Sequence, residues 1–150
     1  MRILILFFNA TIKTMLQHQT TVRVRYAETD QMGYVYHGTY VQYFEVGRVE
    51  ALRDLGLSYK KMEEEGVMMP VVSLSQRFVR PALYDEVLTI TTILRELPDR
   101  FITFHYEIHN EEKKLVNGGK VTLCFLDAVS RKSMAVPDFL LERIKGQMLA

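Results

Sequence analysis

The stretch from Thr39 to Leu55 reads TYVQYFEVGRVEALRDL and decides the fold. Thr39 and Gln42 match the two ends of a capping box, and Gly56 is the residue type that commonly follows a helix end. We therefore predict a helix from about Thr39 to Leu55. Its apolar residues fall on nearly every side, which is typical of a helix buried on most of its faces.

Strand patterns surround this helix. Apolar and polar residues alternate with a period of two at 20–26, and four more times after a short charged stretch at 60–66. Pro137 then opens a short amphipathic helix that continues to about Lys145. The four later strands are predicted at Pro70–Arg80, Glu86–Glu96, Phe101–His109 and Leu115–Asp127, with Gly118-Gly119 as a bulge in the last.

The order of these elements predicts an α+β fold. One apolar helix and one antiparallel sheet can bury both apolar faces only when the sheet curves around the helix. We therefore expect a curved antiparallel sheet wrapped around one long buried helix. Because this helix is too apolar for one sheet to cover alone, we also expect a symmetric homodimer or homotetramer, with the helix near the interface.

Composition narrows the possible classes of protein. The chain has 150 residues, of which 48% are hydrophobic and 25% charged, so it is long enough for one globular domain and is not of the disordered class. A formal charge of +1 gives no global attraction to nucleic acid or anionic membrane. The single cysteine, Cys124, excludes an internal disulfide and any multi-cysteine metal site, which favours the cytoplasm.

The first residues need a separate interpretation. Residues 1–8 read MRILILFF, in which six apolar residues follow Arg2. This run is too short for a membrane span, which needs about 20 residues, and no small-residue cleavage site follows it. We interpret residues 1–18 as an N-terminal extension, with Met15 as an alternative start, and residues 19–150 as a single domain.

The stretch at 26–43, YAETDQMGYVYHGTYVQY, carries the candidate chemistry. Asp30 and His37 flank a glycine-containing loop immediately before the predicted helix. A helix start offers free backbone N–H groups that can stabilise a developing oxyanion, and a carboxylate there can act as a general base or nucleophile. Read alone, the pattern is equally that of ordinary turn and capping residues.

The same residues resemble a known family. The pattern Tyr26-x-x-Thr29-Asp30-x-x-Gly33-x-x-Tyr36-His37-x-x-Tyr40, followed by Tyr43-Phe44-Glu45-x-x-Arg48, resembles the signature of hotdog-fold acyl-CoA thioesterases. The nearest branch is the 4-hydroxybenzoyl-CoA thioesterase-like group, which includes the Tol-Pal-associated bacterial enzymes. The resemblance continues at 78–85 and 125–127 and covers about residues 20–146.

This resemblance implies a hotdog fold and hydrolysis of an acyl-CoA thioester by water, without a metal or organic cofactor. The catalytic aspartate of the family falls on Asp30, and the position whose backbone N–H faces the thioester oxygen falls on His37. Tyr36, Gly38 and Arg80 are the expected substrate-binding residues. Two alternatives stay open: a non-catalytic acyl-binding or regulatory hotdog protein, and a thioesterase that acts on acyl carrier protein.

Other residues have simpler interpretations. Glu45 and Arg48, three positions apart on the helix, are expected to form a structural ion pair. We interpret Cys124, within an apolar run, as a buried small residue rather than a nucleophile. His105, Glu107 and His109 share one strand face, which we interpret as solvated rather than zinc-binding. Candidate contacts for the CoA phosphates, besides Arg80, are Arg77, Arg95 and Arg100.

Overall fold

The structure is a computed structural model that describes residues 16–148. Three α-helices, one 3-10 helix and seven strands follow one another in this part of the chain. The strands are β1 (Leu16–Arg23), β2 (Val67–Met68), β3 (Val71–Phe78), β4 (Val87–Leu94), β5 (Phe101–His109), β6 (Leu115–Asp127) and β7 (Ser133–Met134). The helices are the 3-10 helix (Tyr26–Glu28), α1 (Thr39–Asp54), α2 (Tyr59–Glu64) and α3 (Asp138–Met148).

All seven strands belong to one antiparallel sheet around α1. Its main order is β1-β4-β5-β6-β2, and β3 and β7 also pair with β6. Every observed pairing is antiparallel. The predicted α+β arrangement is thereby confirmed, and the strands predicted at 101–109 and 115–127 have the predicted bounds. The short strands β2 and β7 were not predicted.

Two glycines let α1 lie close against the sheet. A Cβ on Gly47 of the helix would come within 2.5 Å of the Thr92 hydroxyl, and one on Gly119 of β6 would come within 2.5 Å of the Phe44 ring. The Phe44 ring in turn stacks on Tyr106 of β5, with centroids 4.4 Å apart. Close backbone approach is the purpose of glycine at both positions.

The bulge predicted at Gly118-Gly119 is therefore wrong. The register of β6 against both β3 and β5 runs through these glycines without a shift. The irregularities lie elsewhere, between Val71 and Ser73 in β3 and between Ile108 and His109 in β5. A glycine inside a strand also serves where an aromatic ring approaches, and that reason applies here.

The bounds of α1 correct one prediction and confirm another. The N-cap residue is Gly38 rather than Thr39, and the structure shows no side chain of residues 16–148 capping this end. Thr39 is the first helical residue, and its hydroxyl instead lies 3.5 Å from the carbonyl oxygen of Glu28. At the other end Gly56 adopts a φ of 77°, the left-handed conformation expected for the residue after a helix.

The predicted Glu45–Arg48 ion pair does not form. Arg48 is buried and its Nε donates to the hydroxyl of Tyr59 on α2 at 2.9 Å, whereas Glu45 is exposed. Val46 is also 37% exposed, so one chain leaves part of α1 uncovered, in line with the expectation that one sheet alone does not cover this helix. The sheet covers one face of the helix, and the opposite face remains open.

The N-terminal boundary differs from the expected one. β1 begins at Leu16, which pairs with Leu94 of β4, so residues 16–18 belong to the sheet rather than to an extension. The interpretation of residues 1–15 concerns a part of the chain outside the described residues. Within residues 16–148 we find no helix with the length and apolar character needed to cross a membrane.

Candidate active site

A tight loop holds Asp30 between the 3-10 helix and α1. The N–H of Asp30 donates to the carbonyl of Tyr34 at 2.7 Å, and the N–H of Gly33 donates to the carbonyl of Asp30 at 2.9 Å. Gly33 has a φ of 81°, which only glycine adopts readily. Tyr34 also forms an isolated β-bridge with Leu83, which fixes the loop to the segment after β3.

The Asp30 carboxylate takes part in this loop through one oxygen. Its Oδ1 accepts hydrogen bonds from the N–H groups of Met32 at 2.9 Å and Tyr34 at 3.1 Å. This is the role of an ordinary turn residue, which the sequence pattern read alone also predicts for Asp30. Both bonds end on Oδ1, so this role alone does not use the second carboxylate oxygen.

The N-terminus of α1 presents free backbone donors beside this loop. Within residues 16–148, neither the N–H of His37 nor that of Gly38 donates to a backbone carbonyl. The Tyr36 ring packs on the His37 ring with centroids 4.2 Å apart. It also covers Gly38, where a Cβ would lie 2.9 Å from the ring atom Cε1 of Tyr36.

A cavity of about 310 Å³ joins three of the five site residues expected from the sequence. Asp30, His37 and Arg80 line it, whereas Tyr36 and Gly38 are not among the lining residues. Arg80 is already engaged, because one of its guanidinium nitrogens donates to the carbonyl of Leu115 at 2.9 Å. The other lining residues are Met32, Tyr34, Val35, Tyr40, Phe78, Val79 and Pro81.

The cavity wall is aromatic, which the site prediction did not include. The rings of Tyr40 on α1 and Phe78 at the end of β3 meet edge to face, with centroids 5.9 Å apart. Burial raises the pKa of Tyr40 to about 12, so its phenol is neutral at physiological pH. Tyr40 was part of the quoted motif, but only the fold brings Phe78 to the same place.

A buried carboxylate near the loop was also missed. Glu28 is 7% exposed, and its Oε1 accepts the N–H of Arg25 at 3.0 Å and the Nε of the Arg25 side chain at 2.9 Å. Burial raises the pKa of the Glu28 carboxyl, but these hydrogen bonds outweigh it and hold the pKa below its ordinary value of 4.5. The i,i+3 spacing of Arg25 and Glu28 was the available sequence signal.

The remaining candidate ligands lie away from this cavity. His105, Glu107 and His109 alternate along β5, and none of them lines the cavity. Burial first, and then the neighbouring Arg95 and Lys120, lower the pKa of His105. Among the described residues no group of three His, Cys, Asp or Glu side chains is placed to hold a metal ion. Of the four arginines considered for CoA phosphates, Arg80 alone lines this cavity.

A match to a known family defines the class of the protein. Residues 24–144 match the family model of the thioesterase-like superfamily. The chain therefore belongs to that superfamily, has its hotdog fold and is a thioester hydrolase.

Individual relatives agree with this assignment. The chain is 32% identical over 124 residues to the acyl-CoA thioester hydrolase YbgC of Escherichia coli O6:H1, covering 83% of this chain and 92% of that protein. It is 39% identical over 94 residues to the putative acyl-CoA thioesterase YneP of Bacillus subtilis, covering 63% and 68%. A solved DHNA-CoA thioesterase from Staphylococcus aureus superposes with a TM-score of 0.77 and 32% identity, covering 80% of each chain.

Proposed function

We propose that this protein hydrolyses acyl-CoA to free acid and CoA, with Asp30 as the catalytic carboxylate. The observation that carries the proposal is that Asp30 and His37 line one cavity at the start of α1, where two backbone N–H groups have no backbone acceptor among residues 16–148. The names of the relatives support the acyl-CoA thioester as the substrate class. The single cysteine and this substrate both fit a cytoplasmic enzyme.

The proposed chemistry divides between the carboxylate and the helix start. As a general base, Asp30 takes a proton from water while the water oxygen bonds to the thioester carbonyl carbon. As a nucleophile, it instead forms an anhydride that water then opens. In both routes the carbonyl oxygen gains negative charge, and the N–H groups of His37 and Gly38 are the donors available to stabilise it.

In either route the attack gives a tetrahedral intermediate, and its collapse breaks the carbon–sulfur bond and releases the CoA thiolate, which takes up a proton. This collapse yields the free acid when water attacks and the anhydride when Asp30 attacks. The His37 ring lines the cavity and is a candidate to deliver that proton or to orient the substrate. Arg80 stands at the same wall, where a guanidinium suits a phosphate of CoA. Tyr36 and Gly38 shape the entry to the helix N-terminus rather than the cavity wall.

A second copy of the chain is the proposed partner. Within residues 16–148, β3 pairs only with β6, so its other edge is open. Apolar side chains are exposed on this strand and around the cavity, which a lone subunit would leave in water. Pairing of two β3 edges would bury them in a homodimer: Met32, Tyr34, Val71, Val72, Leu74, Phe78, Val79 and Leu83.

A thiol-release assay over a panel of acyl-CoA and acyl carrier protein thioesters tests this function. Hydrolysis of acyl-CoA at a higher kcat/KM than the matching acyl carrier protein thioester supports the proposal. The reverse preference would assign the protein to acyl carrier protein. Binding of acyl-CoA without turnover would identify a non-catalytic acyl-binding protein. The panel includes linear and aromatic acyl groups because the cavity wall is aromatic.

A further inference from the structure

Glu28 is the last residue of the 3-10 helix, which lies between β1 and α1 in the chain. It is the only buried carboxylate in the described part of the chain, and it lies two residues before Asp30. Its carboxylate closes the 3-10 turn through the two bonds from Arg25. Its carbonyl oxygen accepts the N–H of Tyr36 at 2.8 Å, immediately before the free donors of the helix start.

A second cavity of about 220 Å³ lies against Glu28, between β1 and the open face of α1. Tyr43 lines it with a buried hydroxyl, and burial first, then hydrogen bonding to Glu28 and the charge of Glu28, raise the pKa of that hydroxyl. Glu28 is 7% exposed, so its carboxylate is largely removed from water there, and the hydrogen bonds from Arg25 that satisfy it hold the turn in place.

We propose that Glu28 is a positioning residue for hydrolysis, which rests on the function proposed above. By closing the 3-10 turn, its carboxylate fixes the carbonyl that holds Tyr36. That tie sets the separation between the Asp30 carboxylate and the N–H groups of His37 and Gly38. A misplacement of about 1 Å at such a site costs on the order of a hundredfold in rate. The carboxylate does not line the cavity that contains Asp30, so it acts through the loop.

Two substitutions separate positioning from packing. Glu28→Gln keeps the volume and an oxygen that accepts the bonds from Arg25, whereas Glu28→Ala removes them. Thr103→Ala is the control for lost stability, because it deletes the Thr103–Thr122 hydrogen bond between β5 and β6, outside the cavity. Asp30→Asn marks the rate left without the catalytic carboxylate.

The experiment measures kcat and KM on the best acyl-CoA of the panel, per folded protein, together with amide hydrogen exchange. For Glu28→Ala we expect kcat to fall about 10- to 100-fold with KM within about threefold, and faster exchange at Arg25 and Tyr36. Glu28→Gln should stay within about threefold of wild-type kcat, and Thr103→Ala should keep wild-type kcat.

Three outcomes would overturn the positioning role while leaving the proposed function intact. They are a wild-type kcat in Glu28→Ala, an equal loss in the Gln and Ala variants, and a rise in KM with kcat unchanged. A wild-type protein that hydrolyses no acyl-CoA would overturn the proposed function itself, and the positioning role with it. Retained hydrolysis in Asp30→Asn, alongside a loss in Glu28→Ala, would overturn only the assignment of Asp30.

Discussion

Gly119 of β6 lies directly against the ring of Phe44, so closely that a Cβ there would stand 2.5 Å from two ring atoms. The same Cβ would come within 2.9 Å of the Ser75 carbonyl oxygen, which belongs to backbone and cannot swing away. The contact therefore fixes how near α1 can approach the sheet. The free N–H groups of the site lie at the start of α1. The packing of α1 against the sheet therefore also sets the position of these groups.

Replacing Gly119 by alanine should destabilise the protein. We expect Gly119→Ala to cost about 1–3 kcal/mol of unfolding free energy, since overpacking forces the ring or the strand to move. Urea unfolding measures it. Gly146→Ala on α3 is the matched control, because no atom of the described residues lies within 4 Å of its Cβ position. Equal midpoints for the two variants would contradict the packing role.

Asp30→Asn should abolish most of the activity and leave the loop intact. The asparagine oxygen can still accept the bonds from Met32 and Tyr34, but the amide is neither a base nor a nucleophile. We expect kcat to fall by about 10²–10⁴ with an unchanged thermal midpoint. A folded variant that hydrolyses acyl-CoA near the wild-type rate would show that another group performs the chemistry.

Gly38→Ala should act through the Tyr36 ring. The backbone φ of −71° at Gly38 suits alanine, but the new Cβ would stand 2.9 Å from that ring and push it from its contact with His37. We expect kcat/KM to fall by roughly tenfold, about 1.4 kcal/mol of transition-state stabilisation. In a Tyr36→Ala background the same substitution should have no further effect, which a double-mutant cycle measures.

Glu28 should make stability depend on pH in the acidic range. Because its pKa in the folded protein lies below its ordinary value of 4.5, the charged form stabilises the fold. That contribution is fully present above pH 4.5 and is lost as the pH falls through the folded pKa. Wild type should therefore be more stable than Glu28→Gln at pH 7, and the difference should shrink in acid. A difference independent of pH would rule out this titration.

A charged side chain on β3 should separate the two chains of the proposed dimer. Leu74 is 39% exposed on β3, and Leu74→Glu should yield a 17.5 kDa particle by light scattering with little activity. Val46→Glu is the matched control on the open face of α1 and should keep the dimer. If the Val46 variant dissociates instead, the interface lies on the helix, as the sequence suggested.

Local signals were sufficient for much of the fold. The period of two located β5 and β6 to the residue, and Gly56 marked the end of α1. The errors arise where a distant residue decides the outcome. Thr39 reads as a cap, yet its hydroxyl turns toward Glu28, and Arg48 reads as a partner of Glu45, yet its Nε bonds Tyr59 on α2.

The candidate site likewise contains residues that the local sequence identifies and residues that only distant contacts bring into place. Asp30 and His37 lie in one short motif, so the sequence could name both as neighbours of a helix start. Phe78 comes from the far end of β3, and the pairing of β3 with β6 is needed to bring it against Tyr40. Tyr36 belongs to the motif but packs over Gly38, which depends on a ring orientation that no sequence pattern reports.

The bridge between Tyr34 and Leu83 joins two separately encoded halves of the site. The groups proposed to act on the thioester come from one short run, 26–40, and the N–H of Val35 in that run donates to the carbonyl of Ala82 at 2.8 Å. The opposite wall, at 78–81, comes from a different strand and supplies no proposed catalytic group. Two separate parts of the chain thus line the cavity, and only one of them holds the groups proposed to act on the thioester. Under the proposed function, substitutions at 78–81 would change the lining of the cavity without replacing any of those groups.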